Sequence, residues 1–246
     1  MGKIAFLVGA LALGIAAAPA TAGPNLVKNG GFETTTLTGS SQFSDYFIGN
    51  PVSDWTTSGY NMIFFAGTAT TSGANTQYGP GLTFHGPANG TSNGYTDSPT
   101  GGNYVGADGA FITAPIQQTI TGLEVGKRFL VDFDWSAAQQ TGFDGPTTEQ
   151  WTVSLGGESY STPVWNNPDH GFKPWSHQTF SFTATAAIQV LSFLAVGTPE
   201  GRPPFSLLDG VSGATVPEPA TWAMMLGGFA FVGAALRSRR RDVIAA

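Results

Sequence analysis

The chain has 246 residues, no cysteine and a formal net charge of −6, and only 11% of its residues are charged. Without cysteine there are no disulfides or thiolate metal sites, so stability must come from the core and from any bound cation. The stretch 23–215 sets five basic residues against fourteen acids, a net charge of −9, and such a surface repels phosphates, so no nucleic-acid partner is expected.

Residues 1–22 read as a secretory signal peptide. Lys3 supplies the positive start, 4–18 is apolar and uncharged, and Ala20, Thr21 and Ala22 fit the small-x-small cleavage rule. Cleavage there leaves Gly23 as the mature N-terminus.

The body, 23–215, has the size of one all-β domain. Glycine (34 in the chain) and proline (16) punctuate short runs rich in Thr, Val, Phe, Tyr and Trp, as short strands joined by turns require. Period-two alternation puts Phe129, Val131, Phe133 and Trp135 on one face, with Asp132 and Asp134 on the other. Trp151, Val153 and Leu155 repeat it, as do Phe180 and Phe182. The run 188–196 is apolar enough to be buried on both faces. Further strands are expected at 26–28, 61–66, 103–107, 115–121 and 205–211. About ten such strands predict a two-sheet antiparallel β-sandwich. Two loops are long: 68–102, a polar tract with one strand candidate near its middle, and 139–148. Loops of this kind on one rim can carry a binding site.

Catalytic patterns are weak. Residues 90–94 spell G-T-S-N-G, but a nucleophile elbow needs a strand before it and a helix after it, and neither is expected. His85, His170 and His177 lack metal-protease spacing, and Asp132 and Asp134 read as a solvated strand face rather than a glycosidase pair. No catalytic residue is assigned, and the protein is expected not to be an enzyme. Sugars present apolar C–H faces that stack on aromatic rings. The aromatics outside clear core alternation are Trp55, Tyr60, Tyr95, Trp165 and Trp175; no ligand-contact residue is singled out among them.

Four fragments carry a resemblance: 25–33 (NLVKNGGFE), 102–109 (GNYVGADG), 116–127 (IQQTITGLEVGK) and 207–212 (LLDGVS). They resemble strands of the galactose-binding-like jelly-roll sandwiches, a group with many carbohydrate-binding modules. The resemblance implies a structural calcium joining the first and last strands through Glu33 and Asp209. Oxygen ligands of this kind suit Ca²⁺. The departure is Gly210, which stands where the group often has a second acid.

At the C-terminus Pro217, Glu218 and Pro219 precede 17 uncharged residues, 220–236, and then Arg237, Arg239, Arg240 and Arg241. The prolines predict an extended, accessible segment. The apolar run, as a helix, spans roughly 25 Å against a ~30 Å hydrocarbon core. Trp222 suits the headgroup zone, and the arginines form a membrane-stop cluster that predicts a short cytoplasmic end at 242–246. This order resembles the PEP-CTERM sorting signal of Gram-negative bacteria. The resemblance implies a partner, an exosortase-type membrane protease acting around 217–219, and delivery to the cell surface or extracellular matrix. It also implies an association with exopolysaccharide and biofilm. The expected function is therefore that of an exported, non-catalytic envelope protein contacting polysaccharide. The alternative is a structural or adhesive surface protein without sugar binding.

Overall fold

The computed structural model describes residues 23–216 and three isolated helical positions, Gly228, Phe229 and Val232. The expected signal peptide, sorting motif, arginine cluster and chain end lie outside the described residues, as does all but those three positions of the expected membrane helix. Among the described residues no helix is long and apolar enough to cross a membrane.

Residues 23–216 lie in one compact unit. Its strands are β1 (Ser41–Gln42), β2 (Asn61–Phe64), β3 (Ala74–Thr76), β4 (Gly79–Leu82), β5 (Tyr104–Asp108), β6 (Ile116–Thr121) and β7 (Arg128–Gln139). They continue as β8 (Thr147–Leu155), β9 (Glu158–Ser161), β10 (Trp165–Asn167), β11 (Phe172–Thr183), β12 (Ile188–Thr198) and β13 (Pro204–Thr215). One sheet has eight strands in the order β11-β7-β13-β5-β2-β1-β3-β4. The other runs β10-β8-β12-β6, with β9 also paired to β8. All pairings are antiparallel except β1 with β3, which is parallel, so the expectation of wholly antiparallel sheets needs that correction.

The two sheets close over one core. Phe129, Val131, Phe133 and Trp135 of β7 meet Trp151, Val153 and Leu155 of β8 and Leu191 and Phe193 of β12. Alternate residues of a strand share a face, and this explains why β7 and β8 could be read from sequence. Phe133 stands edge-on to Phe193 across the sheets at 5.2 Å, and Trp151 Nε1 donates to the Leu207 carbonyl at 3.0 Å.

Two expectations fail, each for its own reason. In β12, Ile188 and Val190 are 62% and 45% exposed; the strand alternates, and only Leu191, Phe193 and Ala195 point into the main core. Residues 26–28 run beside β13 without forming a strand. Leu26 N–H reaches the Gly213 carbonyl at 2.7 Å, but Asn25 Oδ1 accepts from both Val27 N–H and Gly213 N–H. The side chain takes the place of a regular ladder.

The polar tract 68–102 holds more than expected. Tyr60, Met62, Phe64, Ala69, Ala74, Leu82, Phe84, Tyr104, Phe205 and Leu207 form a second core. They alternate along β2, β5 and β13 with Ile63, Val105 and Leu208 of the first core, so this part of the eight-stranded sheet is covered on both faces. The tract supplies the outer cover, pinned by Asn89 Nδ2 to the Phe84 carbonyl at 2.7 Å. The G-T-S-N-G run follows a single 3-10 turn, Pro87–Asn89, rather than a strand.

Candidate functional site

A cavity of about 380 Å³ opens where the rim loops meet, bordered by Tyr60, Tyr78, Asp108, Phe111, Gln140 and Phe143. Its volume lies in the range of small-molecule sites. Tyr60 precedes β2 and is fixed by its backbone: its N–H donates to the Ile112 carbonyl at 2.9 Å, and its carbonyl accepts from Asp108 N–H at 3.2 Å. The β2–β5 ladder therefore places Tyr60 beside Asp108. Tyr78 occupies the β3–β4 turn, where its N–H donates to Thr76 Oγ1. Phe111 lies in the turn after β5, which Asp108 Oδ1 closes by accepting from Ala110 N–H at 2.9 Å and Phe111 N–H at 3.1 Å.

The rings of Tyr60, Tyr78 and Phe111 are mutual neighbours, with centroids 5.5 to 5.9 Å apart. Tyr60 is buried, while Tyr78 is 65% and Phe111 38% exposed, so two of the three present surface to a ligand. Phe143 sits on the 139–148 insertion. Buried Gln139 ties that loop down, donating to the Gly145 carbonyl at 2.9 Å and accepting from His170 N–H at 2.6 Å.

Asp108 is the electrostatic centre. It is 2% exposed, and its Oδ2 has no hydrogen-bond partner. Burial pushes its carboxyl up to about 6, against the pull of the Ala110 and Phe111 N–H groups. Burial also raises the Tyr60 phenol.

The sequence-expected metal pair comes together at the opposite ends of the domain sequence. Glu33 and Asp209 converge over Gly31, where a Cβ would stand 3.8 Å from Asp209 Oδ1 and 3.9 Å from Glu33 Oε1. Asp209 is fully buried. Burial raises its carboxyl to about 6, with Ser98, Thr100 and Gly210 hydrogen bonds pulling it down and Glu33 adding a smaller upward push. Its Oδ2 accepts from the Thr100 hydroxyl and its Oδ1 from Gly210 N–H at 2.7 Å. Glu33 Oε1 accepts from Asn103 N–H at 2.7 Å. Gly210, at φ 59, does more than omit an acid: it makes the bulge at which the β13 register shifts and gives Asp209 a donor. The all-oxygen set fits a hard cation.

Elsewhere His85 stacks on His170 at 3.9 Å, and burial with the neighbouring His170 holds His85 below its ordinary value. His170 Nε2 approaches Asp144 at 2.7 Å and Asp169 at 3.4 Å, a trio able to hold a metal ion. His177 spans Asp134 at 3.2 Å and Asp132 at 3.5 Å on the outer face of the large sheet.

Of the five aromatics weighed from sequence, only Tyr60 borders the cavity. Trp55 is 1% exposed and donates from Nε1 to the Asn29 carbonyl. Tyr95 and Trp175 pack on the second core, and Trp165 on the first. Tyr78, Phe111, Phe143 and Asp108 were missed. The available signal was aromatics placed in turns, Gln77-Tyr78-Gly79 and Asp108-Gly109-Ala110-Phe111, where alternation offers them no core to enter.

Residues 215–241 match the family model described as the PEP-CTERM protein-sorting motif, so the tail carries that motif. No curated protein matches the chain. Solved structures similar to it include carbohydrate-binding modules. TmCBM61 in complex with beta-1,4-galactotriose is 16% identical, covering 77% of this chain and 97% of its own, with a TM-score of 0.36. The CBM22-1 xylan-binding domain from Paenibacillus barcinonensis Xyn10C is 10% identical over 80% of this chain and 97% of its own, TM-score 0.38. The enzymatically active domain of Bacteriophage CBA120 tailspike protein 4 is 14% identical over 78% of this chain, TM-score 0.37, and there the match spans only 21% of the other chain.

Proposed function

We propose that this is an exported, non-catalytic surface or matrix protein that binds polysaccharide through the rim cavity of a galactose-binding-like jelly roll. The observation that carries this reading is the cavity itself, in which two exposed rings and a buried carboxylate with a free oxygen converge. A sugar ring stacks its C–H face on Tyr78 or Phe111, while Asp108 Oδ2 and Gln140 take its donors. The PEP-CTERM motif supports delivery across the inner membrane of a Gram-negative cell. In this reading an exosortase-type protease acts at Pro217, Glu218 and Pro219, after Arg237, Arg239, Arg240 and Arg241 have halted the apolar segment in the membrane. Calcium shared by Glu33 and Asp209 would join the two ends of the domain sequence. Glycan-array binding by the protein purified from the cell surface tests the function. Binding is expected for a defined polysaccharide class and is lost in Tyr78→Ala and Phe111→Ala; an array without signal refutes it.

A further inference from the structure

The cavity bordered by Tyr60, Tyr78 and Phe111 contains an imbalance that a neutral sugar does not correct. Asp108 Oδ1 is occupied by two backbone N–H groups. Oδ2 is buried and has no partner. No basic side chain lines the cavity among the described residues, and the influences on Asp108 are burial and those two N–H groups, with no cation among them.

A buried carboxylate without a counter-charge is costly, and a hydroxyl donor relieves only the hydrogen-bond part of that cost. A cation relieves both parts. The desolvation of Asp108 has already occurred on folding, so an arriving ammonium loses only its own hydration. The aromatic walls favour the same ligand, because ring faces carry negative quadrupole charge and attract ammonium groups within about 6 Å. Anionic sugars are disfavoured by Asp108 and by the net −9 of residues 23–215.

We infer that the rim cavity selects a cationic amino-sugar unit, a hexosamine with a free amine, whose ammonium meets Asp108 Oδ2 while its ring lies on Tyr78 and Phe111. This rests on the polysaccharide reading above and names the sugar class within it.

Calorimetric titration of the exported protein compares three probes: a glucosamine oligomer, its fully N-acetylated counterpart, and a neutral glucose oligomer of the same length. The buffer is near neutral, above the value of about 6 at which Asp108 titrates. The free-amine oligomer is expected to bind at least about tenfold tighter than the other two. Asp108→Asn keeps an acceptor for Ala110 and Phe111 and should reduce that preference to within about twofold. Asp132→Asn, on the outer face, should leave it intact. This control matters because an acidic protein attracts any polycation diffusely. Equal loss in both variants overturns the inference. So does binding of neutral or acetylated oligomers as tight as the amine, an outcome that leaves the polysaccharide reading standing. Binding of no glycan at all removes both. Should Asp108→Asn fail to fold, Tyr78→Ala and Phe111→Ala, which leave the net charge unaltered, take its place, and an amine preference that survives both overturns the inference.

Discussion

Glu149 provides a test of the interior that needs no ligand. It lies on β8, fully buried, with its Oε1 accepting from the Thr147 hydroxyl. Its Oε2 and the Oδ1 of neighbouring Asn167 on β10 are both buried without partners. A buried carboxylate oxygen without a partner favours the neutral acid, whose proton turns an orphan acceptor into a donor. Burial accordingly pushes the carboxyl from an ordinary 4.5 up to about 8, against the Thr147 and Asn167 hydrogen bonds. Because the folded value is raised, the native state binds more protons than the unfolded chain between those two pH values. Stability therefore falls as pH rises from about 4.5 to about 8.

Glu149→Gln supplies a permanent neutral donor in nearly the same shape. At ~1.4 kcal/mol per tenfold, the displacement corresponds to at most about 5 kcal/mol. Urea melts across pH are expected to show the variant and the original protein equally stable near about pH 4.5. By about pH 8–9 the variant should be the more stable by roughly 3–5 kcal/mol. Lys173, which burial lowers to about 8, contributes with the opposite sign above that pH, but it is present in both proteins and cancels in the difference. A pH-independent difference, or a variant that loses stability at high pH, would refute the protonated-acid account.

Phe133→Ala should cost about 3–5 kcal/mol in denaturant melts, because a fully buried ring between Phe180 and Phe193 is emptied. Asp132→Ala, which loses only the Thr179 hydroxyl bond and a His177 contact on the outer face, should cost less than about 1 kcal/mol. Replacing Pro217, Glu218 and Pro219 with alanine should leave export intact and block removal of the tail, read by mass spectrometry of surface protein; native protein still ending at Ala246 would refute processing. Millimolar calcium should raise the melting temperature over that in chelator, by about 2.7 kcal/mol of stability when free ion is one hundredfold above Kd. Asp209→Asn should lose most of that rise, and no calcium effect would leave Glu33 and Asp209 as hydrogen-bond acceptors only.

The strands legible in the sequence are those whose two faces differ. β7 and β8 alternate because one side meets the core and the other meets water or polar neighbours. Legibility fails where that asymmetry fails. β5 is buried at every position, and its neighbours β2 and β13 are covered by a segment whose composition is polar, so the strand candidate at 81–85 was legible while the role of Leu82 and Phe84 as cover of a second core was not. β12 misled in the other direction: Ile188, Val190 and Val196 are apolar and yet exposed. The Glu33–Asp209 pairing was accessible only through the resemblance, since 176 residues separate the two positions. The cavity could not be read at all, because Tyr60, Tyr78, Asp108 and Phe143 arrive on four separate segments that only the β2–β5 ladder and the Gln139 tether bring together.

Three carboxylates are raised by burial, yet the same cause has three consequences. Asp209 has its oxygens occupied by Thr100 and Gly210, so its cost is largely met within the domain and a cation would add to an existing anchor. Glu149 has an orphan oxygen but lies fully buried on β8, where taking up a proton removes the charge. Asp108 alone combines an orphan oxygen with a place on a cavity wall among exposed rings. Folding stability gains nothing from leaving that oxygen unmet, since an asparagine or serine could close the 108–111 turn without the buried charge. An uncompensated charge kept at a cavity wall is what selection for a positively charged ligand would leave in the fold.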